Sequence, residues 1–303
     1  MSARHLIDLL ALVDNVPSSF EHDWTPYYRL LIPPDPRPHG FIHPSTIALM
    51  PWPPSITIDH AARTVSLPSS PSPAEALQAA VDAAIAADVF PVLAARHSEP
   101  YRLLGARTFV QLERFAVSLF GIAARGAHLT GYVRGENGAA PRIWVARRSA
   151  TLFTYPGMLD STVAGGVKAS HTPMDCIVAE SMEEACLSRV RERVRPAGVI
   201  TALSRGADDL VHGDVVHVFD LEMDEGELPR PGDDEVAEFI LMDCQEVRRR
   251  MLAGEFKPNV CSVLVDFMVR HGIVTPETEG EGQYVDICSR LRRKLPMPIS
   301  SDI

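Results

Sequence analysis

The sequence predicts an α/β fold in two parts, and three observations support that prediction. Runs of alternating apolar residues, typical of strands, lie at 128–134 and 142–148. Helical spacing of apolar residues recurs towards the C-terminal end. The pattern also changes near residue 125, where glycine and alanine separate two differently organised stretches. We therefore expect a smaller α+β domain over 1–125 and an α/β domain over 126–303.

The first of the two expected domains opens with an amphipathic helix within residues 1–13. Leu6, Leu9 and Leu10 lie at helical spacing, with Asp8 between them. The elements expected after this helix are a loop-rich extended segment at 32–54, short strands around 56–58 and 63–65, and helices at 73–88 and 108–120.

A β-hairpin opens the second expected domain. Its strands, 128–134 and 142–148, are joined by the turn-forming residues 135–138. Further along, Thr172 is a favourable helix N-cap because Asp175 stands three residues later. The remaining expected elements are strands at 215–221 and 236–242 and helices at 244–252, 260–270 and 284–293.

Charge and composition exclude several classes of protein. The formal net charge of -10 provides no general attraction to nucleic acid or to anionic membranes. No apolar run reaches the ~18 residues of a membrane helix. The five cysteines form no Cys-x-x-Cys pair, which indicates a reducing compartment rather than a disulfide framework. We expect a cytoplasmic protein without nucleic-acid or membrane partners.

Three glutamates on one expected helix carry the main chemical signal. Glu180, Glu183 and Glu184 stand at positions i, i+3 and i+4, so they share one helix face. Carboxylates this close repel one another, and a hard divalent cation with oxygen ligands relieves that repulsion. Such a cation can also bridge a diphosphate and orient an attacking water. The simpler alternative is a solvated acidic helix face.

The loop and helix around these glutamates resemble the Nudix box. That motif is a glycine-led loop followed by a helix ending in Arg-Glu-x-x-Glu-Glu-x-Gly. Gly165 matches its leading glycine, and Leu187 fits its closing apolar position. Glu180, Glu183 and Glu184 match its metal-binding glutamates. The resemblance implies that these three glutamates bind Mg²⁺ or Mn²⁺.

Three residues depart from the box. His171 stands where the motif has glutamate, Ala179 where it has arginine, and Cys186 where it has glycine. In the family, the first glutamate and the arginine are reckoned to pair and to support the loop–helix geometry. Their absence here is consistent with loss of that ion pair and retention of the metal ligands.

The flanks are similar to the fungal and plant branch called thiamine-pyrophosphokinase-related Nudix hydrolases. The matching stretches are 113–114, 119–122, 143–149, 154–160, 163–166, 234–239, 254–259 and 266–272. The resemblance implies an α/β/α sandwich around a mixed sheet, preceded by a smaller N-terminal α+β domain. It also implies metal-dependent hydrolysis of an organic diphosphate. Some members of the branch act on thiamine diphosphate and, better, on its oxidised or damaged forms.

The resemblance also suggests roles for individual residues. We expect Glu183, Glu184 or Glu235 to act in catalysis, with either a box glutamate or Glu235 accepting the proton of water. Glu222, after the strand 215–221, is a weaker candidate. The residues expected to contact the substrate are Arg147, Arg148, Tyr155, Met158, Gly165 and Gly166. Because strand side chains alternate, one of the two arginines should point to the site and the other away.

Two other functions remain open at this point. The same chemistry could act on another small organic diphosphate, such as an isoprenoid or nucleoside diphosphate. Alternatively, the chain could be a Nudix-like binding or regulatory protein with weakened catalysis. His171 and Ala179 favour that second alternative, and the intact glutamate face opposes it.

Overall fold

The computed structural model describes residues 4–93 and 99–301. Its strands are β1 Tyr28–Ile32, β2 Asp35–Ile42, β3 Thr57–Asp59, β4 Thr64–Ser66, β5 Pro100–Arg102, β6 Gln111–Glu113, β7 Ala123–Val133, β8 Arg142–Arg148, β9 Leu159–Asp160, β10 Val163–Gly166, β11 Arg195–Arg205, β12 Val211–Glu222 and β13 Val236–Asp243. Its α-helices are α1 Leu6–Val13, α2 Pro44–Leu49, α3 Pro73–Ala86, α4 Val117–Phe120, α5 Pro173–Ala185, α6 Val190–Arg193, α7 Cys244–Leu252, α8 Pro258–Arg270, α9 Pro276–Glu279 and α10 Glu281–Arg290.

The N-terminal part is a small α+β unit, as the sequence predicts. Its sheet has the order β2-β1-β4-β3, in which β1 and β4 are parallel and the other pairs are antiparallel. Leu77 and Val81 of α3 are fully buried in one cluster with Leu30 and Val65 of this sheet. Burial of these side chains is the main force that holds the helix on the sheet.

A larger mixed sheet forms the centre of the second part. Its order is β11-β12-β7-β8-β13, with β12 and β7 parallel and the other pairs antiparallel. The apolar face of α5 packs on one side of the sheet, and α1, α7, α8 and α10 pack on the other. These three layers confirm the expected α/β/α sandwich around a mixed sheet.

The hairpin strands β7 and β8 diverge where the candidate site lies. They pair only at Tyr132 with Ile143 and at Val133 with Arg142, next to the turn. Farther from the turn, β10 pairs with β7 and β9 pairs with β8. The segment 159–166 therefore occupies the gap between the two strands, directly beside α5.

One predicted helix is wrong, and several strands were not anticipated. Residues 108–120 form β6 and the short α4 instead of a single helix, because Leu112 pairs with Tyr101 of β5 and is buried there. Phe109, which would lie on the buried helix face, is 55% exposed. Part of the expected loop-rich segment is strand β2, and the long strand β11 had no prediction.

The first helix packs against the second part of the chain. Leu6, Leu9 and Leu10 of α1 are buried with side chains of α8 and of the larger sheet. The domain boundary near residue 125 stays a prediction, but α1 contributes to the core that lies after it. Within the described part of the chain, no helix is long and apolar enough to cross a membrane.

Candidate active site

The helix α5 begins with the predicted N-cap. The backbone N–H of Asp175 donates to Thr172 Oγ1 at 3.1 Å, and the N–H of Thr172 donates to Asp175 Oδ2 at 3.1 Å. Pro173 occupies the first helical position, where its missing N–H costs nothing. A salt bridge from Arg191 also reaches Asp175 at 2.6 Å. These contacts fix where the helix starts and hence which face its glutamates occupy.

The three glutamates of α5 differ in exposure. Glu180 and Glu184 are half-buried beside the segment 159–166, whereas Glu183 is exposed. Glu184 Oε2 accepts a hydrogen bond from the backbone N–H of Ala164 at 3.2 Å. A Cβ on Gly165 would lie 2.5 Å from Glu180 Oε1, so only glycine leaves room for that carboxylate. The leading glycine of the motif therefore has a direct steric role here.

Like charges surround these carboxylates. Burial, reinforced by Glu183 and Glu235, raises the pKa of Glu180 to about 7. Burial and the neighbouring Glu180 raise the pKa of Glu184 well above its usual value. Both carboxylates thus lie in surroundings that penalise their negative charge, which a bound cation would relieve.

A small cavity brings Glu235 to the same place. Its lining includes Glu184 of α5, Glu235 before β13, Arg148 of β8 and Asp160 of β9. Glu235 is exposed, and it acts electrostatically on both Glu180 and Glu184. The predicted catalytic residue therefore lines the same cavity as Glu184 of α5.

The weaker candidate, Glu222, lies elsewhere. Its carboxylate accepts from Arg134 at 2.7 Å and from the Tyr132 hydroxyl at 3.2 Å. Glu222 is not among the residues that line the cavity at Glu184. The structure thus separates it from the glutamates of α5 and engages it in an ion pair.

Asp160 is a site residue that the sequence analysis did not single out. It is buried, and Arg148 Nη1 lies 3.0 Å and Lys257 Nζ 3.7 Å from its Oδ2. Although burial favours the protonated form, the charges of Lys257, His128 and Arg148 hold the pKa of Asp160 below its usual value. Asp160 thereby positions Arg148 at the cavity. Its sequence signal is only its place in the matching stretch 154–160.

The two adjacent arginines point in opposite directions, as the strand alternation predicts. Arg148 lines the cavity, whereas Arg147 donates through Nε to Glu238 at 2.6 Å on the surface. Arg148 Nε also donates to the carbonyl oxygens of Thr154 and Tyr155, at 3.3 and 3.2 Å. The loop 149–158 is thereby tied to the arginine that faces the glutamates.

Tyr155 and Met158 lie in that loop. Tyr155 is exposed and has a positive φ of 51°, and Met158 is half-buried. Neither side chain is among those lining the cavity at Glu184. The loop therefore borders the candidate site without closing it.

The N-terminal part contributes to the site through β5. The hydroxyl of Tyr101 lies over Gly166, where a Cβ would come within 1.7 Å of it. Glu99 Oε1 lies 2.9 Å from Lys168 Nζ, and both residues influence the pKa of Glu180. These contacts leave no local signal in the sequence, because they join segments that are distant along the chain.

The three departures from the motif have distinct local settings. Cys186 ends α5 with φ 53° and ψ 28°, a left-handed conformation that favours glycine. Ala179 is half-buried and has no polar side-chain atom to pair with the loop. The backbone of His171 is held by Lys168, whose carbonyl oxygen accepts the His171 N–H at 3.0 Å. Backbone contacts thus support the loop where the ion pair of the motif is missing.

The candidate metal ligands are carboxylate oxygens, which suit a hard divalent cation. Glu180 and Glu184 are half-buried and mutually repelling, and Glu183 or Glu235 could complete the set. Across residues 4–93 and 99–301, no group of three or more His, Cys, Asp or Glu side chains is already arranged to hold a metal ion. The donor chemistry fits such a cation, although these side chains do not converge on one point.

The segment that carries this site is similar to known proteins. Residues 125–260 match the NUDIX domain model. An uncharacterized protein of Saccharomyces cerevisiae is 35% identical over 204 residues, which cover 63% of this chain and 59% of that protein. Nudix hydrolase 20, chloroplastic, of Arabidopsis thaliana is 36% identical over 62% of this chain and 50% of its own length. The chain thus spans between half and three-fifths of these relatives.

A second plant protein is similar over the same share of this chain. Nudix hydrolase 24, chloroplastic, of Arabidopsis thaliana is 34% identical over 62% of this chain and 50% of its own length. The matched segment contains α5, its three glutamates and the residues that line the cavity at Glu184. The segment 125–260 is therefore similar to the NUDIX domain and to the two plant Nudix hydrolases.

Proposed function

We propose that this protein is a metal-dependent hydrolase of a small organic diphosphate. The Nudix domain and the two plant relatives named Nudix hydrolases support this reaction class. The observation that carries the proposal is that one cavity is lined by Glu184 of α5, by Glu235 and by Arg148 of β8. It combines oxygen ligands, a candidate base and a cation for phosphate in one place.

The proposed mechanism assigns one task to each group. Glu180 and Glu184, with Glu183, would hold a divalent metal ion, Mg²⁺ or Mn²⁺. When bound, that ion neutralises charge on the diphosphate and helps to orient water. Arg148, held by Asp160, would bind phosphate oxygens.

The bond changes in this reaction are simple. A water oxygen forms a bond to phosphorus, and the phosphorus–oxygen bond of the anhydride breaks. Glu235 or a glutamate of α5 accepts the proton of the water. The expected products from a terminal cleavage are an organic monophosphate and inorganic phosphate.

The substrate that we propose is thiamine diphosphate or one of its oxidised or damaged analogues. This assignment depends on the resemblance of 143–149, 154–160 and 163–166 to the thiamine-pyrophosphokinase-related branch. The loop 149–158, with Phe153 and Tyr155 exposed beside Arg148, offers aromatic surface for an organic ring. The expected cytoplasmic location stays a prediction.

Phosphate release from a panel of diphosphates with Mg²⁺ tests the substrate. The panel holds thiamine diphosphate, oxothiamine diphosphate, a nucleoside diphosphate and farnesyl diphosphate. ADP-ribose is included with its two monophosphate products as the readout, because its cleavage releases no inorganic phosphate. We expect the two thiamine compounds to be cleaved fastest. Faster cleavage of the nucleoside or isoprenoid compound would contradict thiamine diphosphate as the substrate. It would still support hydrolysis of an organic diphosphate.

A second candidate function is a binding or regulatory role. His171 and Ala179, at the positions where the motif has an ion pair, favour it. In that case no diphosphate in the panel would be cleaved, and at least one would raise the melting temperature. This result would contradict the proposed hydrolase.

A further inference from the structure

A second, larger cavity lies away from the glutamates. Its volume is about 790 Å³, and it borders Pro173 at the start of α5, the strands β11 and β12, and the C-terminal segment 292–300. None of its lining residues also lines the cavity at Glu184. A helical rise of 1.5 Å per residue places Pro173 about 16 Å from Glu184 along α5. The two cavities are thus separate places on the molecule.

The walls of this cavity are largely apolar. Val199 of β11 and Val215 of β12 face it from the side of the sheet on which α5 lies. The N-terminal part contributes Leu104, and the C-terminal segment contributes Leu295 and Met297. Volumes of ~300–1,000 Å³ with apolar walls and few polar groups are typical of small-molecule sites.

The polar side chains around the cavity are mainly cationic. They are Arg37, Arg125, Arg292, Arg293 and Lys294, together with Thr201, His217 and Ser300. No aspartate or glutamate is among the described residues that line it. In a chain whose net charge is -10, this local excess of positive charge is notable. It favours an anionic occupant.

Three of these cations already form salt bridges with aspartates of the protein. Arg37 pairs with Asp35 at 2.6 Å, Arg292 with Asp266 at 2.5 Å and Arg293 with Asp14 at 2.8 Å. Arg125 and Lys294 differ, because no carboxylate within residues 4–93 and 99–301 forms a salt bridge with either. The charges of these two cations are therefore not balanced by a carboxylate in the described part of the chain.

The surroundings of Arg125 lack a counter-charge. Its Nη2 donates to the carbonyl oxygens of Lys168 and His171, at 3.1 and 3.5 Å. Its Nε is buried without a hydrogen-bond partner among the described atoms. Burial, and then the charge of Arg102, lower the pKa of Arg125. An anion would therefore satisfy a donor and a charge that the protein leaves uncompensated.

We propose that this cavity binds a small organic anion with an apolar body. Arg125, Lys294 and the ring of His217 would contact the anionic head, and the aliphatic walls would cover the body. The head would be a phosphate monoester or a carboxylate, since both groups are negatively charged at neutral pH. The site requires no metal ion and lies outside the proposed diphosphatase centre.

Fluorescence titration with 8-anilinonaphthalene-1-sulfonate tests the proposal, with the uncharged N-phenyl-1-naphthylamine as its matched probe. We expect one saturable site for the anionic dye and at least tenfold weaker binding of the uncharged one. Phenyl phosphate and benzoate, compared with phenol, then distinguish the two kinds of head by displacing the dye. Equal displacement by phenol would overturn the anionic character of the site.

Variants locate the dye. Arg125→Met should weaken its binding about tenfold through loss of a charge-assisted contact, and Lys294→Gln should weaken it less. Val199→Phe places a larger side chain in the cavity and should weaken binding by steric overlap. The exposed Arg189→Met is the matched control and should leave the affinity unchanged.

Two outcomes would overturn the site. One is unchanged affinity in Val199→Phe together with Lys294→Gln, which remains decisive if Arg125→Met fails to fold. The other is loss of dye binding in Glu184→Gln, which would place the dye at the glutamates of α5. Failure of the diphosphatase assay, by contrast, has no bearing on this titration.

Discussion

Single residues fix the geometry of the candidate site at points of close contact. Gly165 admits the Glu180 carboxylate, and Gly166 admits the Tyr101 hydroxyl. Asp160, buried between two cations, orients Arg148 towards the glutamates. The sequence indicated the glycine and the glutamates because they are near neighbours in a motif. It did not indicate Asp160 or Tyr101 because their roles depend on contacts between distant segments.

The left-handed conformation of Cys186 leads to a stability prediction. Replacing Cys186 with glycine removes the steric cost of a positive φ, offset in part by greater freedom of the unfolded chain. We expect the free energy of unfolding to rise by about 0.5–1 kcal/mol. Urea denaturation measures the change, and Cys186→Ala is the control that keeps the strain. A gain in Cys186→Ala equal to that in Cys186→Gly would refute the conformational explanation.

At the scale of secondary structure, local signals account for what could be predicted. The cap at Thr172 and the spacing of the glutamates placed α5 correctly, since both lie within a few residues of each other. The prediction of one helix over 108–120 is wrong because these residues form the strand β6 and the short helix α4. The partner strand β5, which decides that outcome, is distant from the local pattern.

The N-cap of α5 should contribute measurably to stability. Thr172→Ala removes the side-chain acceptor for the Asp175 N–H. It also removes the hydrogen bond that the Thr172 hydroxyl donates to Asp175 Oδ2. We expect the free energy of unfolding to fall by about 1 kcal/mol, as judged from chemical denaturation. Thr172→Ser keeps the hydroxyl and should stay close to the parent protein. A loss in the serine variant as large as in the alanine variant would show that packing of the methyl group, not capping, is responsible.

At the scale of the whole molecule, the two parts of the chain are interdependent. The N-terminal helix α1 buries its leucines against α8, and β5 reaches the loop before α5. The sandwich itself follows from the resemblance and from alternating apolar strands. The packing of α1 against the second part of the chain could not be predicted from local sequence. An amphipathic pattern shows that a helix has an apolar face, but not which surface that face covers.

Packing of α1 predicts an asymmetric effect of two leucine substitutions. Leu9 is 2% exposed in the core with α8, whereas Leu12 on the same helix is 56% exposed. Leu9→Ala should lower the free energy of unfolding by about 2–5 kcal/mol through loss of burial and a residual cavity. Leu12→Ala should change it by less than about 0.5 kcal/mol. Equal effects in thermal or urea unfolding would contradict the docking of α1.

The most direct test of the central claim is the rate of Mg²⁺-dependent phosphate release from thiamine diphosphate and oxothiamine diphosphate in matched variants. Glu184→Gln removes one carboxylate charge at the cavity, and Glu192→Gln removes one from an exposed surface pair. We expect Glu184→Gln to lower kcat at least about a hundredfold and Glu192→Gln to leave it unchanged. Phosphate release that persists in Glu184→Gln, or that does not require the metal ion, would contradict a hydrolytic centre on α5.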